Sequence, residues 1–200
     1  MKVYLLRHGE PSWNQDQRLQ WLHHIPLNGT NIRQSLRRAE WHRSTGVRRI
    51  VSSLLLRARR TAPILAQHSG QAFSTDNRLQ EIGHGPWTGL RVAAVADPFP
   101  DELATWSLFS ERLRLPNSES LVAAYQRCTG SLIDLVKENR DEDLLVVSHG
   151  VVNALLLCAA KGTSLSRIRE CSPPKAAASA LRVGRRKIAA VERNLDVIAQ

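Results

Sequence analysis

Short apolar runs alternate along this chain with longer stretches in which apolar positions recur at helical spacing. The run Lys2 to Leu6 is apolar and stops abruptly at polar residues, the pattern of a buried strand. Arg49 to Ser52 predicts a second strand and Ala72 to Thr75 a short third one. Between them, Leu54 to His68 alternates apolar and basic residues with helical spacing, and Gly70 supplies the stop. Asp101 to Leu113 predicts a helix between two proline-bearing segments. Glu119 to Asn139 predicts a longer one, with Ser118 or Ser120 placed to cap it. Asp143 to Ser148 contains LLVVS, the most strand-like run in the chain, and the apolar helical pattern Val151 to Ala160 follows it. Ala176 to Arg182 and Lys187 to Arg193 predict two final strands, joined by a solvated hairpin turn at Val183 to Arg186.

Strands that alternate with helices predict an α/β fold of three layers: a mainly parallel sheet with helices on both faces. The 200 residues fit one domain, residues 1–200. Residues 91–117 have the weakest pattern and are expected to form a small lid over the sheet. With 42% apolar residues the chain can fill a core. No run approaches the roughly 20 apolar residues of a membrane helix. The first run is also too short for a signal-peptide core, so a cytoplasmic protein is the default expectation. Cys128, Cys158 and Cys171 are far apart and predict neither a disulfide framework nor a zinc site.

The net charge of +10 predicts attraction to anions without choosing among them. The basic groups Arg37-Arg38, Arg57 to Arg60 and Arg185 to Lys187 are not interleaved with aromatics, as a single-strand nucleic-acid platform would be. That argues against nucleic acid as the partner. Ligands of open α/β sheets bind beyond the carboxyl ends of the strands. Two predicted strands end in unusual polar sequences there: Leu6-Arg7-His8-Gly9-Glu10 and Ser148-His149-Gly150. Each sets a histidine before a glycine, where the backbone can turn tightly and approach a ligand. Two such ends are a stronger signal than a pair of unrelated surface histidines. His23-His24, His42, His68 and His84 have no metal-ligand spacing, although His23, His24 or His84 could line a pocket mouth. No P-loop or dinucleotide fingerprint is present, so no cofactor is expected.

L-R-H-G-E at positions 6 to 10 resembles the signature of the histidine phosphatase superfamily, the phosphoglycerate mutase-like proteins. The resemblance continues in order through Trp13-Asn14, Pro26-Leu27, Ser52-Ser53 with Arg57-Ala58 and Thr61-Ala62, Leu79-Gln80-Glu81 with Gly85, Trp87 and Gly89, Pro116 to Ser120, and Val146 to Gly150. It implies His8 as the nucleophile that becomes a phosphohistidine, with its second ring nitrogen held by a backbone carbonyl near Gly9. Arg7 and Arg57 would grip the phosphoryl oxygens. His149 would be protonated while phosphate is bound and add a third positive donor. Glu81 would act as general acid and then as base, and Asn14 and Ser148 would donate further hydrogen bonds. A metal is not required on this reading.

The chain departs from the family pattern at Leu54, Trp21, Asn28 to Asn31, Gly83, His84 and Thr88, which bears on the pocket wall. The implied activity is hydrolysis of a phosphomonoester, with a phosphorylated small molecule as the partner. Mutase-type phosphotransfer is the alternative, but residues 90–117 hold no Arg-Arg pair and no Tyr of the kind the mutases carry. A non-catalytic phospho-ligand binding protein is a further alternative. The lid places Trp106, Phe109, Arg112 and Arg114 where they are expected to wall the leaving-group side. Oligomeric state stays open, with a homodimer as one possibility.

Overall fold

The computed structural model describes residues 1–9, 13, 16–20, 29–138, 142–172, 178–184 and 188–195. The strands are β1 (Lys2–Arg7), β2 (Arg49–Ser53), β3 (Phe73–Asp76), β4 (Leu144–Ser148), β5 (Ala178–Val183) and β6 (Ile188–Leu195). They form one sheet in the order β3-β2-β4-β1-β5-β6. The first four of that order run parallel, and β5 is antiparallel to both β1 and β6. The helices are α1 (Gly29–Thr45), α2 (Leu56–Ser69), α3 (Pro100–Leu108), α4 (Leu121–Glu138) and α5 (Gly150–Lys161).

Side chains on a strand alternate between faces, and the two cores follow that alternation. Val3, Leu5, Leu144 and Val146 join one cluster with α4 and α5. Leu6, Leu145 and Val147 join the other, with Ala39 of α1 and Ala58, Ala62 and Leu65 of α2. Burial on both faces is why LLVVS reads as an unbroken apolar run. The described residues contain no helix long and apolar enough to cross a membrane.

Helix ends obey their local chemistry. Gly70 takes the left-handed conformation that stops α2. Of the two candidate caps for α4, it is the Ser120 hydroxyl that accepts from the Ala123 N–H, at 3.2 Å. The predicted helix from Asp101 to Leu113 is cut short. Phe109 leaves the helical conformation, with φ of −142° and ψ of 56°, and the Ser110 hydroxyl donates to the Trp106 carbonyl at 2.5 Å. Only a 3-10 turn, Ser110–Arg112, follows. The hairpin turn expected at Val183 to Arg186 lies partly outside the described residues.

Residues 91–117 fold back over the carboxyl edge of the sheet. Trp87, Val95 and Leu115 form a small separate core there, with Leu103 and Trp106 packed against it. Gly85 anchors the near end of this roof with φ of +51°, and an added Cβ would press into the Pro116 backbone carbonyl. Gly85→Ala is therefore expected to lower folding stability by about 1–3 kcal/mol, from positive-φ strain and backbone overlap together. Urea denaturation measures it, and an unchanged midpoint would contradict this packing.

Candidate active site

The neighbouring parallel strands β1 and β4 are in register, with Arg7 opposite Ser148. That register carries the two histidine-glycine ends to the same place. The His8 N–H donates to the Ser148 carbonyl at 2.9 Å, and the rings of His8 and His149 lie 5.0 Å apart between centroids. Beside β4, β2 ends at Ser53 and the chain turns directly into α2, whose buried face begins with Arg57. Thr61, one turn further, accepts the Gly9 N–H at 3.0 Å and so ties the turn after His8 to that helix.

His8 is 5% exposed and Arg57 2%, while His149 is fully buried. The Nδ1 atom of His8 lies 2.5 Å from the Gly9 carbonyl oxygen, which leaves Nε2 as the nitrogen without that engagement. A neutral ring donating from Nδ1 presents a lone pair on Nε2. Burial holds the His8 pKa well below the usual histidine range, and the charges of Arg57 and Arg7 lower it further. His8 is thus neutral at physiological pH. Burial and the same arginines depress His149 too, with His8 adding to the effect. A phosphoryl dianion set among these groups acts in the opposite direction. Burial brings Arg57 down to about 10, against the attraction of Glu81, and it stays cationic at pH 7.

Ser53 orients His149, since its hydroxyl lies 2.8 Å from Nε2. The same oxygen accepts from the Leu55 N–H at 3.2 Å, so its proton is available for Nε2. That tautomer places the ring proton of His149 on Nδ1, which has no partner among the described residues. Glu81 comes from the segment after β3. One carboxylate oxygen accepts from the Ile82 N–H at 3.1 Å, and the other from the Val151 N–H at 3.2 Å, in the first turn of α5. Gly150 clears room for Arg7, because a Cβ there would touch the guanidinium carbon at 3.4 Å.

Arg7, His8, Arg57 and Glu81 all line one cavity of about 320 Å³. Val92, Val95, Leu103, Trp106 and Ser107 of residues 91–117 roof it. His149 sits fully buried beside His8. His84 lines the cavity, as the sequence allowed, whereas Asn14, His23 and His24 lie outside the described residues.

Other expectations need correction. The Ser148 hydroxyl donates to the Leu79 carbonyl at 2.9 Å, so its proton is committed away from a phosphate. Phe109 is on the surface with the Arg112 guanidinium stacked on its ring, and Arg114 donates to the Glu111 and Leu113 carbonyls. Neither arginine reaches the cavity. The cationic wall comes instead from Arg18 and Arg169, which the sequence reading left without a role. Arg38, part of the basic group Arg37-Arg38, is 1% exposed and donates to the Arg7 carbonyl at 3.0 Å. Among the described residues no group of histidine, cysteine or carboxylate side chains has the geometry to hold a metal.

A buried, neutral, oriented histidine flanked by two arginines suits phosphoryl transfer through nitrogen, and the comparisons agree. Residues 3–196 match the histidine phosphatase superfamily, branch 1. The probable phosphoglycerate mutase GpmB of Salmonella arizonae is 31% identical, over 86% of this chain and 82% of that one. Phosphoserine phosphatase 1 of Hydrogenobacter thermophilus is 30% identical, over 84% of this chain and 79% of that one. The solved structure of YhfR from Bacillus stearothermophilus superposes with a TM-score of 0.89 at 26% identity, covering 98% of each chain. The chain belongs to the histidine phosphatase superfamily, a family of enzymes in which a phosphohistidine mechanism is typical.

Proposed function

We propose that this protein hydrolyses phosphomonoesters through a phosphohistidine on His8. The observation that carries the reading is the neutral, oriented His8 set beside Arg7 and Arg57 on a roofed cavity, with Glu81 on the same wall. Nε2 of His8 forms a bond to phosphorus as the bond from phosphorus to the ester oxygen breaks. Glu81, as general acid, gives a proton to that oxygen. Glu81 then takes a proton from the water that attacks the phosphohistidine, and inorganic phosphate departs as His8 is regenerated. Arg7 and Arg57 hold the phosphoryl oxygens through charge-assisted hydrogen bonds, and His149 adds a third donor from Nδ1. Residues 91–117 act as the lid. Rapid quenching with a ³²P-labelled ester tests the scheme. The labelled protein should be stable in base and labile in acid, and turnover should persist in EDTA. Turnover lost to chelation and restored by a divalent ion would sink it.

Two observations suggest the substrate class. The lid arginines Arg112 and Arg114 lie outside the cavity, so it lacks their help with a second acidic group. Arg169 supplies a cation from another element, the 3-10 segment Leu165–Cys171, and Arg18 supplies one beside it on the cavity wall. Phosphoglycerate and phosphoserine, the substrates in the relatives' names, both pair a phosphoryl group with a carboxylate. A phosphomonoester with a second anionic group and an apolar body fits this wall. Arg169→Ala is expected to raise KM for such esters by about tenfold, the scale of one hydrogen bond to a charged group. Phenyl phosphate should lose much less. Equal losses on both would remove Arg169 from recognition.

A further inference from the structure

The three carbonyls just before Glu81 are all held by side chains from other elements. Arg127 of α4 donates from Nη1 to the Arg78 carbonyl at 2.6 Å and to the Gln80 carbonyl at 3.0 Å. Ser148 takes the Leu79 carbonyl between them. The other edge of the Arg127 guanidinium is locked. Its Nε donates to one oxygen of Glu119 at 2.8 Å and its Nη2 to the other at 2.5 Å. Glu119 is itself tied to the loop, since its N–H donates to the Gly83 carbonyl at 3.2 Å. Arg127, Ser131 and Asp134 fall at spacings of four and three, on one face of α4. Ser131 donates to the Asp76 carboxylate at 2.8 Å, and Asp134 accepts from the Arg78 guanidinium at 2.8 Å. One helical face thus grips the segment from Asp76 to Gln80, and Glu81 is the next residue.

We propose that Arg127, locked by Glu119, is a positioning residue that sets the aim of Glu81 at the leaving-group oxygen. The inference rests on the general-acid role given to Glu81 above. A guanidinium suits the task where an ammonium would not. Its planar fork can engage a carboxylate through two nitrogens while the third serves the paired carbonyls. Releasing it lets the loop relax by fractions of an ångström, and proton transfer depends steeply on hydrogen-bond reach. Neither Arg127 nor Glu119 lines the cavity that holds His8.

The test uses the leaving group as its readout, through kcat/KM, which reports all steps up to formation of the phosphohistidine. Nitrophenolate departs without a proton, whereas an alkoxide needs one. Glu81→Gln should therefore cut kcat/KM for an alkyl phosphate far more than for 4-nitrophenyl phosphate. Arg127→Ala and Glu119→Gln should show the same pattern in weaker form. We expect losses of tenfold or more on the alkyl ester, and losses at least fivefold smaller on the nitrophenyl ester. Glu119→Gln keeps the shape of the side chain and serves where Arg127→Ala does not fold. Equal losses on both esters, with Glu81→Gln retaining its selectivity, would overturn the positioning role alone. A Glu81→Gln enzyme without that selectivity would remove the acid role of Glu81 and this inference with it.

Discussion

Replacing His8 by alanine is expected to abolish phosphatase turnover, a loss of about 10⁴-fold or more, as for other enzymes stripped of their nucleophile. The protein should still fold, because among the described residues the His8 side chain is bonded to the adjacent Gly9 carbonyl and lies against the His149 ring. The main-chain bond from His8 to Ser148 survives the substitution. No ³²P label should be trapped in the variant. Inorganic phosphate should still bind, since Arg7 and Arg57 are intact. Turnover above about one part in a hundred, or label trapped on the variant, would place the nucleophile elsewhere.

Arg57→Ala is expected to do two things at once. Loss of a charge-assisted grip on the transferring group should lower kcat/KM by about 10²–10³-fold, the scale of one preorganised donor. It should also move the acid limb of the pH profile. His8 reacts as the neutral ring, so activity falls once pH drops below its pKa. Burial and the arginine charges hold that pKa well below 6.5, Arg57 being the strongest of the charges. With Arg57 gone the His8 pKa rises, and the limb should move to higher pH. A pH profile of kcat/KM for both proteins measures the shift. A large loss with an unmoved limb would mean that Arg57 binds phosphate without tuning His8.

Legibility in the sequence followed the physics of each element. The ends of β1 and β4 could be read because a strand buried on both faces leaves an apolar run, and a polar residue at its end stands out. Helix α1 left no such trace. Its described buried positions are Ser35, Arg38, Ala39 and His42, which are polar or small, so hydrophobic periodicity is blind to it. The resemblance implied a phosphate contact for Ser148. Successive residues of an extended chain point to opposite sides, and the Ser148 hydroxyl turns to the Leu79 carbonyl instead. Arg112 and Arg114 were placed by their segment, but only the fold decides which way a lid residue faces. Arg169 had no sequence signal, since its approach to the cavity depends on how Leu165–Cys171 packs after α5.

The place of β1 in the sheet has a consequence for synthesis. Of the strands of this sheet β1 is made first, yet both its neighbours, β4 and β5, come much later in the sequence. Its ladder of backbone groups stays open until residues 144–148 and 178–183 have been made. Contacts this distant in sequence slow folding, because the loop entropy is lost before the pairing compensates for it. An incomplete nascent chain ending before β4 holds His8, Arg7, Arg57 and Glu81 but has no strand to set beside them. Phosphate-binding competence should therefore arise late and cooperatively, once β4 and β5 have been made, with the apolar β1 segment exposed to chaperones until then.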